Sequence, residues 1–173
     1  AFDLAAACSG FAYALSVAEG FVKSGIYKNV LVVGAETISR FINWKDRGTC
    51  VLFGDGAGAA VVSRSKDGHG ILASYLGADG KQSEILQIPA GGSRIPPTAE
   101  SIALGQHYIR MDGPALFKIA VKTMEQAVLK VLEQENLQVK DIACLIPHQA
   151  NNRILQAVAE RLEIAPEKVF INV

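Results

Sequence analysis

Cysteine, tryptophan and methionine are scarce in this chain, at 3, 1 and 2 residues among 173. Cys8, Cys50 and Cys144 show no metal-ligand spacing and form no plausible disulfide framework. That argues against a zinc- or disulfide-stapled scaffold and suits a reducing cytoplasm. Excess charge is absent too: 17 basic residues balance 17 acidic ones. No net field therefore draws the whole chain to nucleic acid or to an anionic membrane. No apolar run reaches the ~18 residues of a membrane span, and no charged segment precedes an apolar core as in a secretory leader. Short tandem repeats are also missing.

What is present is the composition of a globular domain, 50% hydrophobic and 20% charged. Phe2 and Leu4 alternate with Ala1 and Asp3 as a short strand does, and from Ser9 the period becomes helical, with Phe11, Leu15, Ala18 and Val22 on one face. Gly25 ends that run. Val30–Gly34 reads as a buried strand, Thr49–Phe53 and Ala57–Ser63 are short apolar, strand-like runs, and Ile71–Tyr75 reads as a further strand after the turn at Asp67-Gly68 and Gly70. Residues 90–101 turn to Gly, Pro, Ser and Thr, a surface loop. Tyr108–Asp112 leads into the longest helix, Pro114–Gln134, whose apolar face carries Phe117, Ala120, Val121, Met124 and Val128. Ile142–Ile146 reads as a buried strand stopped by Pro147. Asn151–Leu162 is a second amphipathic helix, and Val169–Val173 a last strand. Helices alternating with apolar strands predict an α/β fold. The chain has no initiator Met and both ends fall in strand-like runs, which predicts an excerpt of a longer polypeptide.

Two residues stand at strand-to-helix junctions, where α/β folds gather their chemistry. Cys8 precedes the first helix among Ala5, Ala6, Ala7, Ser9 and Gly10, small residues that leave room for a substrate. Unpaired N–H groups and the positive end of a helix dipole at that place predict a lowered thiol pKa. The competing reading is an inert cysteine in an alanine-rich core. His148 lies in PHQAN (147–151), between a buried strand and a helix. A cysteine paired with a histidine distant in sequence is an acyl-transfer constellation, whereas an isolated histidine is ordinarily a loop residue. His69 and His107 read as surface residues.

Gly54–Ala59, GDGAGA, matches the G-x-G-x-x-A spacing of a dinucleotide site, but β-branched AVVS follows where a phosphate-binding helix would start. A tight turn with close packing between two strands is the better account. Arg47 and Arg153 are surface cations by default; beside a cysteine pocket, guanidinium groups suit phosphate.

Together AACSGF, VLVVGAE, DRGTCVLFGDGAGAAVV and IPHQANNRI resemble the β-ketoacyl-acyl-carrier-protein synthase III family over essentially the whole chain. The resemblance implies a thiolase-like α/β fold, two similar halves in αβαβα layers. Residues 1–66 would form the end of the N-terminal half and residues 67–173 the beginning of the C-terminal half. It implies decarboxylative condensation of a short acyl-CoA with malonyl-acyl carrier protein, initiating fatty-acid synthesis in the cytoplasm as a homodimer. The thioesters of coenzyme A and phosphopantetheine would be substrates, with no metal or other cofactor. Position by position, Cys8 resembles the acylated nucleophile and His148 the histidine that assists malonyl decarboxylation. Asn151 and Gly113 match residues of the pantetheine channel. Phe117 and Phe53 match residues near the channel and acyl pocket. Arg47 matches one near the CoA nucleotide, and Arg153 one at the carrier-protein dock.

The family's catalytic asparagine belongs to a Gly-Asn-Thr-Ser motif shortly after the strand that here stops at Val173, and the glycine-rich oxyanion segment comes later still. These 173 residues alone are therefore expected to be inactive and poorly folded. The alternatives within the same superfamily are a polyketide- or alkylquinolone-type synthase and a non-catalytic partner subunit. A dinucleotide-binding oxidoreductase would rest on GDGAGA alone.

Overall fold

The computed structural model describes residues 1–173. In chain order the elements are α1 (Gly10–Lys23), β1 (Asn29–Glu36), β2 (Gly56–Ser63), β3 (Leu86–Gln87), α2 (Ala99–Ala103), β4 (Arg110–Met111), α3 (Gly113–Gln134) and α4 (Asn152–Arg161). Helices dominate because their hydrogen bonds close locally, whereas each strand needs a partner. The sheets are small: β1 pairs antiparallel with β2, from Asn29 opposite Ser63 to Glu36 opposite Gly56, and β3 pairs with β4.

α1 packs across one face of the β1–β2 ribbon. Ala18 and Val22 of the helix and Val32 of the strand are buried there, as the helical and two-residue periods require. The Phe11 ring lies against Gly34, close enough that a Cβ there would just touch it at 3.4 Å. α1 ends where Gly25 takes φ +76°, a conformation that costs glycine nothing.

The principal core lies between α3 and α4. Val121, Ile154, Val158, Leu162 and Ile164 form it, and Phe117, Ala120, Met124, Val128 and Leu145 pack around them. Both helices are capped by the residues their sequences supply. Asp112 accepts a hydrogen bond from Ala115 N (3.0 Å) ahead of Pro114, and Asn151 accepts one from Arg153 N (2.8 Å).

Several expected strands are not formed. Residues 1–6 carry no strand, and Phe2 instead lies edge-on to Phe21 of α1 at 6.2 Å. Thr49–Phe53 consists of turns, in which buried Thr49 Oγ1 donates to Asp46 Oδ2 (2.8 Å), and Ile71–Tyr75 is irregular. Ile142–Ile146 and Val169–Val173 share a single parallel bridge, Leu145 to Val169, because Pro147 removes the next donor. β1 forms as expected but is not buried: only Val32 is enclosed, while Leu31 and Val33 on its other face are 65% and 58% exposed. In GDGAGA the chain does enter a strand rather than a helix. Its glycines are not required by close packing, however, since a methyl group at Gly54, Gly56 or Gly58 would meet nothing within 4 Å. The motif's Asp55 has a definite task. Its carboxylate accepts from Ser39 N (2.8 Å) and Ser39 Oγ (2.6 Å), pinning the turn Ile38–Phe41 to the start of β2, and these bonds hold its pKa below the ordinary carboxylate value.

Candidate active site

Cys8 occupies a single 3-10 turn, Ala7–Ser9, that runs directly into α1. The preceding Ala7 has φ +46°, a left-handed conformation that costs an alanine energy and sets the thiol on a sharp bend. The junction is therefore real, although an irregular segment and not a strand leads into it. Cys8 is exposed as a residue, yet its thiol pKa is raised, contrary to the expected lowering. Desolvation of the thiol is the largest cause. A hydrogen bond from the Cys8 backbone opposes it, and the carboxylate of Glu36, at the end of β1, adds repulsion. The helix terminus does not outweigh these effects. Glu36 was visible in VLVVGAE, but only the packing of α1 on β1 carries its charge to the cysteine.

His148 is exposed and lies between the Leu145 bridge and α4. Its carbonyl accepts from Ala150 N (2.9 Å), a tight γ-type turn that reverses the chain before the helix. Partial burial of the imidazole lowers its pKa below the ordinary 6.5, so the ring is neutral at physiological pH. A neutral imidazole carries one N–H donor and one acceptor, the state suited to polarising a carbonyl. The carboxylate of Glu36 bears on Cys8, whereas burial is the cause of the shift at His148.

Asn151 and Arg153 follow His148 in the chain at the entry to α4, while Phe117 and Gly113 belong to α3. Asn151 Oδ1 is engaged as the α4 cap, which leaves its amide hydrogens free. Arg153, in the first turn of α4, is exposed. Phe117, from α3, packs against the α3–α4 core and is half-buried. Gly113 begins α3 beside Met111.

Arg47 and Phe53 belong to the loop between β1 and β2. Arg47 is exposed in the turn that Asp46 closes by accepting from Gly48 N (2.9 Å), and Phe53 is half-buried. His107, expected at the surface, is instead half-buried, with its ring 4.0 Å from that of Tyr108 and its Nδ1 enclosed without a partner. Cys50 and Cys144, expected in strands, lie in a turn and in an exposed irregular segment.

Gln149 was overlooked in the sequence. Its carboxamide ties Pro147 to Phe170 and Asn172, partners more than 20 residues distant from it on one side, and no local pattern signals such a link.

No cluster of three or more His, Cys, Asp or Glu side chains converges as a metal site requires. Open depressions of about 360 and 390 Å³ lie elsewhere, one beside Arg161 and Lys140 and the other beside Asn43 and Arg110. No helix is long and apolar enough to cross a membrane.

Comparison with known proteins supplies the context for these residues. The family profile described as 3-oxoacyl-[acyl-carrier-protein] synthase III matches residues 2–80, and that of the C-terminal part of the same enzyme matches residues 132–173. The β-ketoacyl-[acyl-carrier-protein] synthase III of Caldanaerobacter subterraneus subsp. tengcongensis is 56% identical over 172 residues, 99% of this chain and 52% of that protein. The crystal structure of 3-oxoacyl-[acyl-carrier-protein] synthase III from Aquifex aeolicus superposes with a TM-score of 0.86 at 50% identity, over 99% of this chain and 51% of its own. A priming β-ketosynthase from a polyketide biosynthetic pathway superposes with a TM-score of 0.80 at 35% identity, again over 99% of this chain and 50% of its own. The chain thus spans about half the length of the curated relatives it matches, and its mixed helix-and-sheet fold is that of the thiolase-like condensing enzymes. By both profiles and by identity along its whole length, the chain belongs to the 3-oxoacyl-[acyl-carrier-protein] synthase III family.

Proposed function

We propose that the intact protein condenses a short acyl-CoA with malonyl-acyl carrier protein through an acyl-Cys8 intermediate, the initiating step of fatty-acid synthesis. The single observation that carries this reading is the presence of Cys8 and His148 at two separate helix-entry junctions of a chain in this family.

In the first half-reaction the Cys8 sulfur attacks the acyl-CoA carbonyl, and the coenzyme thiolate leaves and takes up the proton that Cys8 gives up. The raised pKa of Cys8 means that the thiolate is not stored at neutral pH, so proton loss accompanies the attack on the thioester. In the second half-reaction the malonyl C–C bond breaks, carbon dioxide departs, and the electron pair remains as an enolate. Neutral His148 donates its N–H to the thioester oxygen on which that charge develops. The carbanion attacks the acyl-Cys8 carbonyl and expels the Cys8 thiolate. Decarboxylation supplies the electron pair, so this chemistry calls for no metal or redox cofactor.

Arg47 and Arg153, both exposed cations, are proposed to meet the CoA nucleotide and the acidic carrier protein. Asn151, Gly113, Phe117 and Phe53 are proposed to line the channel and acyl pocket. Residues 1–66 and 67–173 would belong to successive thiolase-like halves of a cytoplasmic homodimer; three free thiols suit that compartment.

The likeness to a priming polyketide synthase favours one second reading, the same chemistry on another acyl group. The test is to incubate the intact protein with a panel of acyl-CoAs and malonyl-acyl carrier protein, and to follow 3-oxoacyl product and the mass of the Cys8 peptide. Product formation that Cys8→Ser abolishes is expected. Turnover that persists in Cys8→Ser would overturn the intermediate, and preference for a long or aromatic starter would select the second reading.

A further inference from the structure

We propose that Gln149 is a positioning residue for His148, its carboxamide supplying the strand rung that Pro147 cannot form. The segments 145–149 and 168–172 run parallel. Leu145 N donates to Lys168 O (2.8 Å) and Leu145 O accepts from Phe170 N (2.9 Å), the two bonds by which one parallel residue brackets Val169. The next bracketing residue is two positions on, Pro147, facing Ile171. It would have to donate to Phe170 O and accept from Asn172 N. Proline has no N–H, so the donor half of that rung cannot form from the backbone.

Both partners are nevertheless satisfied. Gln149 Nε2 donates to Phe170 O (3.0 Å), and Gln149 Oε1 accepts from Asn172 N (2.9 Å). The second Nε2 hydrogen binds Pro147 O (2.9 Å), closing the side chain back onto its own segment. A primary amide has the same donor-acceptor pair as a peptide group, so one side chain imitates the missing main-chain unit.

The consequence falls on His148. With the ladder continued by a side chain, the backbone at 147–148 is released from the strand and can make the γ-type turn in which His148 O accepts from Ala150 N. His148 is held between two fixed points, Pro147 before it, clamped by the Gln149 side chain, and the Asn151 cap after it. No side-chain hydrogen bond of its own orients the imidazole, so its direction is inherited from the backbone. The catalytic consequence rests on the condensing reaction proposed above; the positioning itself does not.

The experiment compares Gln149→Ala and Gln149→Glu in the intact protein by amide exchange at Asn172, NMR titration of His148, and the two half-reactions measured separately. Gln149→Ala is expected to speed exchange at Asn172 and to move the His148 pKa up toward its ordinary value as the ring loses its enclosure. Malonyl decarboxylation should lose about tenfold to a hundredfold in kcat, the scale of a displaced catalytic group. Its KM and the rate of Cys8 acylation should stay within about twofold, because neither depends on where His148 points.

Gln149→Glu gives a signature that loss of folding would not. As a carboxylate the new group cannot donate to Phe170 O and is repelled by two carbonyl oxygens, which also raise its pKa. Once protonated it regains one donor and one acceptor. Its decarboxylation rate relative to the parent protein at each pH, a ratio that removes the common titration of His148, should therefore recover as the buffer is made mildly acidic. Unchanged decarboxylation in a folded Gln149→Ala protein, equal loss in both half-reactions, or no recovery of the glutamate variant in acid would overturn the proposal. If the parent protein neither acylates nor decarboxylates, the condensing reading fails instead. Asn172 exchange and the His148 titration then decide the positioning role alone, and unmoved values in Gln149→Ala would refute it.

Discussion

Replacing Asn151 by Ala and by Asp separates two roles that one side chain is asked to perform. Its Oδ1 accepts from Arg153 N at 2.8 Å and caps α4, the helix that contributes Ile154, Val158 and Leu162 to the core. Its two amide hydrogens make no hydrogen bond within the chain, and the function proposed above gives them to the pantetheine arm. Asn151→Ala removes both functions. Loss of an N-cap acceptor costs about 1 kcal/mol, which for an intact protein about twice this length corresponds to a fall in Tm of roughly 1–2 °C. Loss of one neutral hydrogen bond to substrate costs about 0.5–1.5 kcal/mol, a rise of about twofold to tenfold in KM for the acyl-CoA. Asn151→Asp keeps the cap acceptor and adds a negative charge at a helix N-terminus, which favours it. The aspartate variant should melt no lower than the parent protein. It has no N–H to offer, however, and should show a KM at least as high as the alanine variant. Differential scanning calorimetry and steady-state kinetics on the same preparations supply both numbers. An unchanged Tm in Asn151→Ala would refute the cap as an energetic contributor. A parental KM in Asn151→Asp would refute the amide as a substrate donor.

Alkylation of Cys8 by iodoacetamide should rise continuously from pH 6 through pH 9, because the thiol pKa lies above its ordinary value, and Glu36→Gln should accelerate it at neutral pH by removing a repelling charge; peptide mapping that showed a plateau already at pH 6 would contradict this. His148→Ala should leave Cys8 acylation nearly intact and reduce malonyl decarboxylation by about a hundredfold or more, the scale of losing one oxyanion donor; equal loss of both would make His148 the base for Cys8. The His148 imidazole should titrate below 6.5. The folded state then binds fewer protons than the unfolded chain, so its contribution to stability is complete above that pH and declines as pH falls through it, as urea melts at pH 5 and pH 7.5 can compare. Arg153→Glu should slow association with carrier protein most strongly at low salt while sparing a small malonyl thioester, and stopped-flow rates independent of ionic strength would remove Arg153 from the dock.

Helices α1, α3 and α4 were legible in the sequence because the information that makes a helix is local. The 3.6-residue spacing of Phe117, Val121, Met124 and Val128 and the stop at Gly25 need no knowledge of the rest of the chain, and the Asp112 and Asn151 caps can be found in the structure where the sequence places those residues. The placement of Cys8 and His148 was legible for the same reason, each standing just ahead of a helix that announces itself. Strands behave differently. Ile142–Ile146 and Val169–Val173 are apolar enough, but a strand exists only as far as its partner can supply hydrogen bonds, and Pro147 ends that supply after one bridge. Which face of β1 is enclosed was likewise undetermined until α1 packed across Val32 and left Leu31 and Val33 open. The electrostatics of the site was decided wholly in three dimensions. A helix N-terminus visible in the sequence argued for an acidic thiol, while desolvation and the carboxylate of Glu36, 28 positions away in the chain and adjacent only after folding, turned the shift upward. The Gln149 clamp has the same origin: its chemistry is written in one residue, but its partners at 170 and 172 become neighbours only when the tertiary structure brings the two segments side by side.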